Sequence, residues 1–332
     1  MAPRGPFRSP AQQHRLRDHV VALSWSADGG LLAAALGDGG VGVIDGTAVR
    51  AWDAHGMTTT ACAWSPAGRV LASGGADRHV RWWSPDGGAL GAVGGGAWVD
   101  ALAWDPRHPR LAAAVGRQVA WCDAPGQMRW LDAGGQATAL GWHPGGSALA
   151  VGRNRCLRVF DEDGSPVADQ PCEGPVQAVA WSPDGLRIAA GRHDQALTVY
   201  DAVSGDAWAM NGYPAKVAGV AWSPDGAWLA SAGGAEVVLL DTRSGRPKGE
   251  EAVLLEPHPR PVAAVAWAPD GSVVGEAAGD GTVAWTRMKD RTPRPLGHGR
   301  IEAAATAIAW SPDGRRLAAG AADGTVAVWT AR

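Results

Sequence analysis

Three residues of this chain, His55, Ser73 and Asp77, are the types a hydrolase uses as base, nucleophile and orienting acid. That chemistry depends on geometry and on access for a substrate, so residue types alone do not establish it. A second group, Arg117, Arg153, Arg155, Arg192 and His193 with Lys216 beyond it, could hold carboxylates, because a guanidinium fork grips a carboxylate with two parallel hydrogen bonds. Metal chemistry has less behind it. The nine histidines show no ligand spacing on one element, and Cys62, Cys122, Cys156 and Cys172 form no C-x-x-C pair. Reduced thiols and no metal are expected. No phosphate-cradling G-x-x-x-x-G-K-[ST] loop is present, and Gly94, Gly95 and Gly96 read as a turn, so no cofactor is expected.

The elements that must position these residues follow from the aromatic count. Of 332 residues, 18 are Trp, but only 2 are Tyr and 2 are Phe. A slot that takes Trp and is copied many times explains that skew. One phrase recurs eight times: WSADG at Trp25, WSPAG at Trp64, WDPRH at Trp104, WHPGG at Trp142, WSPDG at Trp181, Trp222 and Trp310, and WAPDG at Trp267. The spacings are 39, 40, 38, 39, 41, 45 and 43 residues. A unit that short cannot bury a core alone, so neighbours must share one. Small and apolar residues precede each Trp, a turn follows it, and two further apolar stretches flank a second turn. Alternating runs joined by turns are antiparallel strands, four to a unit.

The last unit, AIAWSPDGRRLAAGAADGTVAVWTAR, resembles a WD40 repeat, and the resemblance runs from about residue 19 to residue 332. It implies an all-β fold, an eight-bladed WD40-type β-propeller over residues 11–332 behind a flexible tail at residues 1–10. The eighth unit stops after its third strand, so residues 12–18 are expected to supply its outer strand and close the ring, removing two sheet edges.

The resemblance also offers a structural reading of the Ser, His and Asp. Members often carry a buried hydrogen-bonded set of His, Ser or Thr, Asp and Trp in a blade. Here His55, Ser73, Asp77 and Trp83 match in full. His298, Asp323 and Trp329 match in unit eight, with Ala319 at the Ser position. Only His19 with Asp38 and His258 with Asp280 match in units one and seven. Units three to six have no such His and are expected to be held by packing alone. A buried Asp needs partners, which accounts for the Asp tending to vanish with the His.

Propeller ligands of this family usually sit on the top face, around the channel mouth. The basic residues named above fall in its turns on blades three to six, with Trp98, Asp100, Gln136 and Gln177 near the starts of inner strands. The expected function is a non-catalytic interaction scaffold, binding an acidic protein or peptide there. A propeller subunit of a larger enzyme, defence or signalling complex is an alternative, as is a small-molecule or enzymatic site near Arg153, His193 and Gln177. A second basic run, with Arg243, Arg246, Lys248, Arg287, Lys289, Arg291 and Arg294, is interleaved with Glu250, Glu251 and Asp290 and reads as solvated loop. It lacks the aromatics of a single-strand binder, so nucleic acid is not the expected partner. The net charge of -3 agrees. No apolar run of membrane-spanning length and no secretory leader are seen, so a cytoplasmic monomer is expected. The Ala-, Gly- and Arg-heavy usage points to a GC-rich bacterial genome.

Overall fold

The computed structural model describes residues 10–243, 252–289 and 291–330. Residues 1–9 of the expected tail at residues 1–10, together with Arg246, Lys248, Glu250, Glu251 and Asp290 of the second basic run, lie outside the described residues. Eight antiparallel sheets of four strands are present, and seven of them run in plain chain order. Blade 1, for example, is Val20–Trp25, Leu31–Leu36, Gly40–Asp45 and Ala48–Asp53, here strands a to d. Strand a of each blade packs against strand a of the next, and strand a of blade 8 (Ala305–Trp310) packs against that of blade 1. The sheets therefore form a closed eight-bladed propeller.

The eighth sheet closes as the sequence predicts. Gln12–Arg15 pairs antiparallel with Thr325–Thr330, Gln12 opposite Val328 and Arg15 opposite Thr325. Leu16 is buried beyond it, and its N–H donates to Gly324 O at 2.8 Å.

The repeated phrase builds the turn from strand a to strand b. In blade 1 the Ser26 hydroxyl donates to Asp28 Oδ1 at 2.6 Å and accepts from Leu31 N at 2.9 Å. Gly29 closes the turn at a φ of 71°, where a side chain would be strained. Strand b then lies between two neighbouring blades, so both its faces are buried. Ala33, Ala34 and Ala35 have no exposed surface, and small residues suit that crowded layer.

The Trp that ends strand a binds the ring together. Its indole N–H donates backwards, to the carbonyl of the residue before the Trp of the preceding blade. Trp104 reaches Ala63 O at 2.9 Å, and Trp142 reaches Ala103 O at 2.9 Å. Trp181, Trp222, Trp267 and Trp310 repeat the bond at 3.0–3.2 Å. Trp25 reaches Ala309 O at 3.1 Å and so crosses the seam. Trp64 is the exception: its indole nitrogen has no partner, while its backbone N–H donates to Ser24 Oγ at 3.1 Å. Each bond stabilises by about 1 kcal/mol net, and the larger gain is the burial of the indoles themselves, roughly 4–6 kcal/mol gross for a fully buried one and less for the partly buried Trp25, Trp104, Trp181 and Trp310.

Candidate functional site

In blade 2 (strands Thr59–Trp64, Leu71–Gly75, His79–Trp83 and Ala89–Gly94) five residues form one connected set. His55 Nδ1 lies 2.8 Å from Asp77 Oδ1, and His55 Nε2 lies 2.8 Å from Ser73 Oγ. The Trp83 indole donates to that same hydroxyl oxygen at 2.8 Å. Arg81 completes the set by donating to Asp77 Oδ2 at 2.6 Å. The connectivity is that of a Ser-His-Asp triad, but Ser73 is fully buried under an indole, so no substrate reaches it. Burial pushes the His55 imidazole below its ordinary value. Burial opposes ionisation of Asp77 too, yet His55 and Arg81 outweigh it and bring that carboxyl down to about 2.

His55 stands nine residues before Trp64, and the same count locates the equivalent slot in every blade. It holds Leu16, Gly95, Ala133, Cys172, Tyr213, His258 and Ile301 in the other seven. Two of the expected sets are corrected by this. His298 is not in the slot of blade 8; it lies on the outer strand of blade 7, opposite Ala284. Asp323 pairs instead with Arg15 of the closing strand, and Trp329 packs against Trp285. His19 likewise does not reach Asp38: it contacts Asp18, while Arg17 Nε holds Asp38 at 2.5 Å. In blade 7 His258 is in the slot, but its nearest charged partner is not Asp280. Its Nε2 lies 3.3 Å from Glu276 Oε2. Contact with that carboxylate raises the His258 imidazole above its usual value.

Blades 4 to 6 are not held by packing alone. In blade 6 Tyr213 fills the slot, and its hydroxyl lies 2.7 Å from Ser231 Oγ. In blades 4 and 5 arginines do the work. A Cβ at Gly75 of blade 2 would meet His55 Nδ1 at 2.3 Å, so His55 as placed needs glycine there, although Ala278 holds the equivalent position beside His258 in blade 7. Where Ala133 and Cys172 replace the histidine, that position holds Arg153 and Arg192. Both are buried, at 6% and 3% exposure. Arg153 donates to Asp169 at 2.7 Å, and Arg158 grips the same carboxylate with two nitrogens. Arg192 pairs with Asp194 and donates to Thr198 Oγ1 at 3.0 Å. These arginines hold Asp169 and Asp194 below the usual carboxylate range.

The basic group of the sequence therefore divides. Arg153 and Arg192 are consumed inside their blades. Arg117, Arg155, His193 and Lys216 are exposed on the top face and make no ion pair among the described residues. Two more exposed cations belong with them: Arg78 in the b–c turn of blade 2, and Arg260 before strand a of blade 7. Lys216 and Arg260 line one cleft at the inner edge of blades 6 and 7, of about 660 Å³, with Ala215, Gly234, Pro261 and Gly279. Lys216 is among the residues the sequence singles out; Arg260, between Pro259 and Pro261, carries no sequence signal beyond its charge.

Inner strands carry a bulge near their first residue in seven blades. Thr60, Thr138 and Thr306 at that point each lie within hydrogen-bond distance of a carbonyl of the next blade. Blades 3 and 5 have Asp100 and Gln177 there instead. Gln136 Nε2 donates to Asp100 Oδ2 at 2.8 Å; burial raises the Asp100 carboxyl, and Gln136 works against it. Trp98 beside them is 55% exposed. Among the described residues no three His, Cys, Asp or Glu side chains are placed to hold a metal, and no helix is long and apolar enough to cross a membrane.

The WD domain, G-beta repeat model matches residues 10–45, 46–84, 164–201, 208–239 and 293–330, more than half of the chain. Human echinoderm microtubule-associated protein-like 3 is 27% identical over 187 residues, covering 41% of this chain and 21% of that protein. Mouse intraflagellar transport protein 80 homolog is 27% identical over 154 residues, 44% of this chain and 20% of that one. Eukaryotic translation initiation factor 3 subunit I of Xenopus tropicalis is 27% identical over 143 residues, 38% of this chain and 44% of that one. The chain thus spans about a fifth to under half of these relatives' length. A chain in the crystal structure of the mitotic checkpoint complex superposes with a TM-score of 0.69 at 18% identity, covering 98% of this chain and 92% of its own.

Proposed function

Because the chain belongs to the WD domain, G-beta repeat family, we propose that it is a non-catalytic interaction scaffold that binds an acidic protein or peptide segment on its top face. The carrying observation is the cleft between blades 6 and 7, flanked by Lys216 and Arg260 with no carboxylate paired to either among the described residues. Arg155, His193, Arg117 and Arg78 continue the same charge around the top, and exposed Trp98 supplies an aromatic contact of the kind that anchors interfaces. Unpaired cations beside apolar surface suit carboxylates, which they can pair with on desolvation. The ring of residues 11–332 acts in this reading as one unit, a monomer in the cytoplasm of a bacterial cell.

The names of the relatives support a second layer of the reading. One is a subunit of a translation initiation factor, and the structural match lies in a checkpoint complex. Membership of a larger assembly, with this chain positioning a partner, follows from the same top-face contact. The test is affinity purification of the tagged chain from its native host beside a Lys216→Glu, Arg260→Glu, Arg155→Glu variant. Partners retained by the parent and lost from the variant are the expected result. The same partners on both baits would defeat the top-face assignment.

A further inference from the structure

The b–c turns of the described ring carry five aspartates in equivalent places, and four are each paired with an arginine of this chain. Arg17 holds Asp38, Arg81 holds Asp77, Arg192 holds Asp194 and Arg15 holds Asp323. The fifth, Asp280, accepts among the described residues only from Thr282, through its N–H at 3.1 Å and its hydroxyl at 2.8 Å. It has no ion pair among the described residues.

The register explains the gap. In blade 2 Arg81 lies opposite Ser73, and Trp83 lies opposite Leu71. In blade 7 the same two positions of strand c hold Ala284, opposite Glu276, and Thr286, opposite Val274. A guanidinium and an indole are both missing from that space. What remains is a cleft of about 360 Å³ bounded by His258, Glu276, Asp280, Thr286 and His298, with Glu256 and Arg300 at its rim. Glu276 is 2% exposed, and its Oε2 has no hydrogen-bond partner. His258 Nε2, 3.3 Å away, is in ion-pair contact but not aligned for a hydrogen bond. Three carboxylates thus surround the space, one of them buried and short of a donor. Arg300 is exposed and touches none of them closely enough to pair.

We propose that this cleft of blade 7 receives the guanidinium of an arginine side chain carried by a protein partner, in the place that Arg81 fills from within in blade 2. A planar fork supplies donors to Asp280 and Glu276 together, which an ammonium point charge does less well. The site shares no lining residue with the basic cleft, and the proposal does not rest on it.

The probe is N-acetyl-arginine methylamide, titrated into the full chain and followed by the His258 ring signal in NMR. A saturable shift is expected, with capped lysine at least tenfold weaker. Asp280→Asn weakens binding at least tenfold. Ala284→Arg, which restores an internal guanidinium, abolishes binding and raises the Tm, so the loss is not unfolding. Arg300→Ala binds as tightly as the parent or tighter, and the Lys216→Glu, Arg260→Glu, Arg155→Glu variant binds as the parent does. No saturable shift, equal affinity for capped lysine, or full binding by Ala284→Arg would overturn the proposal. Free L-arginine bound more tightly than the capped form would reassign the cleft to the free amino acid and overturn the partner side chain.

Discussion

In blade 2 the space beside His55 is filled by the Trp83 indole and the Arg81 guanidinium, whereas in blade 7 the same register positions hold Thr286 and Ala284. The two blades share a histidine slot and a turn aspartate. They differ in whether the chain satisfies those groups itself. In blade 2 every member of the set has a partner inside the molecule, and Ser73 is sealed. In blade 7 a carboxylate has entered the serine position, two large side chains have gone, and polarity faces a cleft. The histidines register the change in opposite directions: burial lowers His55, while the Glu276 carboxylate raises His258. A structural hydrogen-bonded set turns into a binding-site candidate when its filling residues are lost and its charges are kept.

The comparison can be broken at several points. Trp83→Thr makes blade 2 resemble blade 7 and should cost about 3–5 kcal/mol in urea denaturation, the usual range for emptying a large aromatic site. A cost below about 1 kcal/mol would mean the indole is not what seals the set. Asp77→Asn comes next. A carboxyl moved from 3.8 to about 2 contributes about 2 kcal/mol at neutral pH. Its pKa is depressed in the fold, so that stability is present above 3.8 and is lost as pH falls towards about 2. Parent and variant melting curves should therefore converge over that window.

The histidine pair gives an opposed pH signature. His55 is lowered by folding, so its contribution is full above the unfolded value of about 6.5 and declines as pH drops. His258 is raised, so its contribution is full below about 6.5 and is lost as pH climbs through its folded value. His55→Gln should then cost more at alkaline than at acidic pH, and His258→Gln the reverse. Equal pH dependence in both variants would erase the distinction between the blades. The smallest effect is expected for Asp280→Asn, within about 0.5 kcal/mol of the parent, because no internal ion pair is lost. Thermal melts of the two proteins side by side check it.

Much of this architecture was legible in the sequence. Eight Trp phrases gave eight blades, because each indole must be buried against a neighbour. Residues 12–18 announced the closing strand by their place before the first unit. His55, Ser73, Asp77 and Trp83 of blade 2 could be read from their residue types, whereas Arg81, which completes the set, could not. The fate of Arg153 and Arg192 could not. Each stands at the end of a strand b beside a turn, where arginine reads as solvated, and its burial depends on Ala133 or Cys172 in a distant stretch. His298 precedes an inner strand, as the slot histidine does, but at the wrong spacing from its Trp. The count of nine residues back to the Trp finds Ile301 instead, and it finds Tyr213, a substitution of hydroxyl for imidazole. The open cleft of blade 7 was illegible for a related reason: it is defined by side chains that are absent, and only strand register shows which ones.

The closing strand has a consequence for how the chain is made. Gln12–Arg15 is synthesised before its partner, Thr325–Thr330, which emerges about three hundred residues later. At about 5–20 residues per second the ribosome leaves the first strand waiting on the order of tens of seconds. Throughout that interval Trp25 has no Ala309 carbonyl to meet and the growing stack of sheets keeps two bare ends. Protection of the nascent chain by a holdase should matter most at the last blade, when the final strand arrives and both ends vanish in a single event.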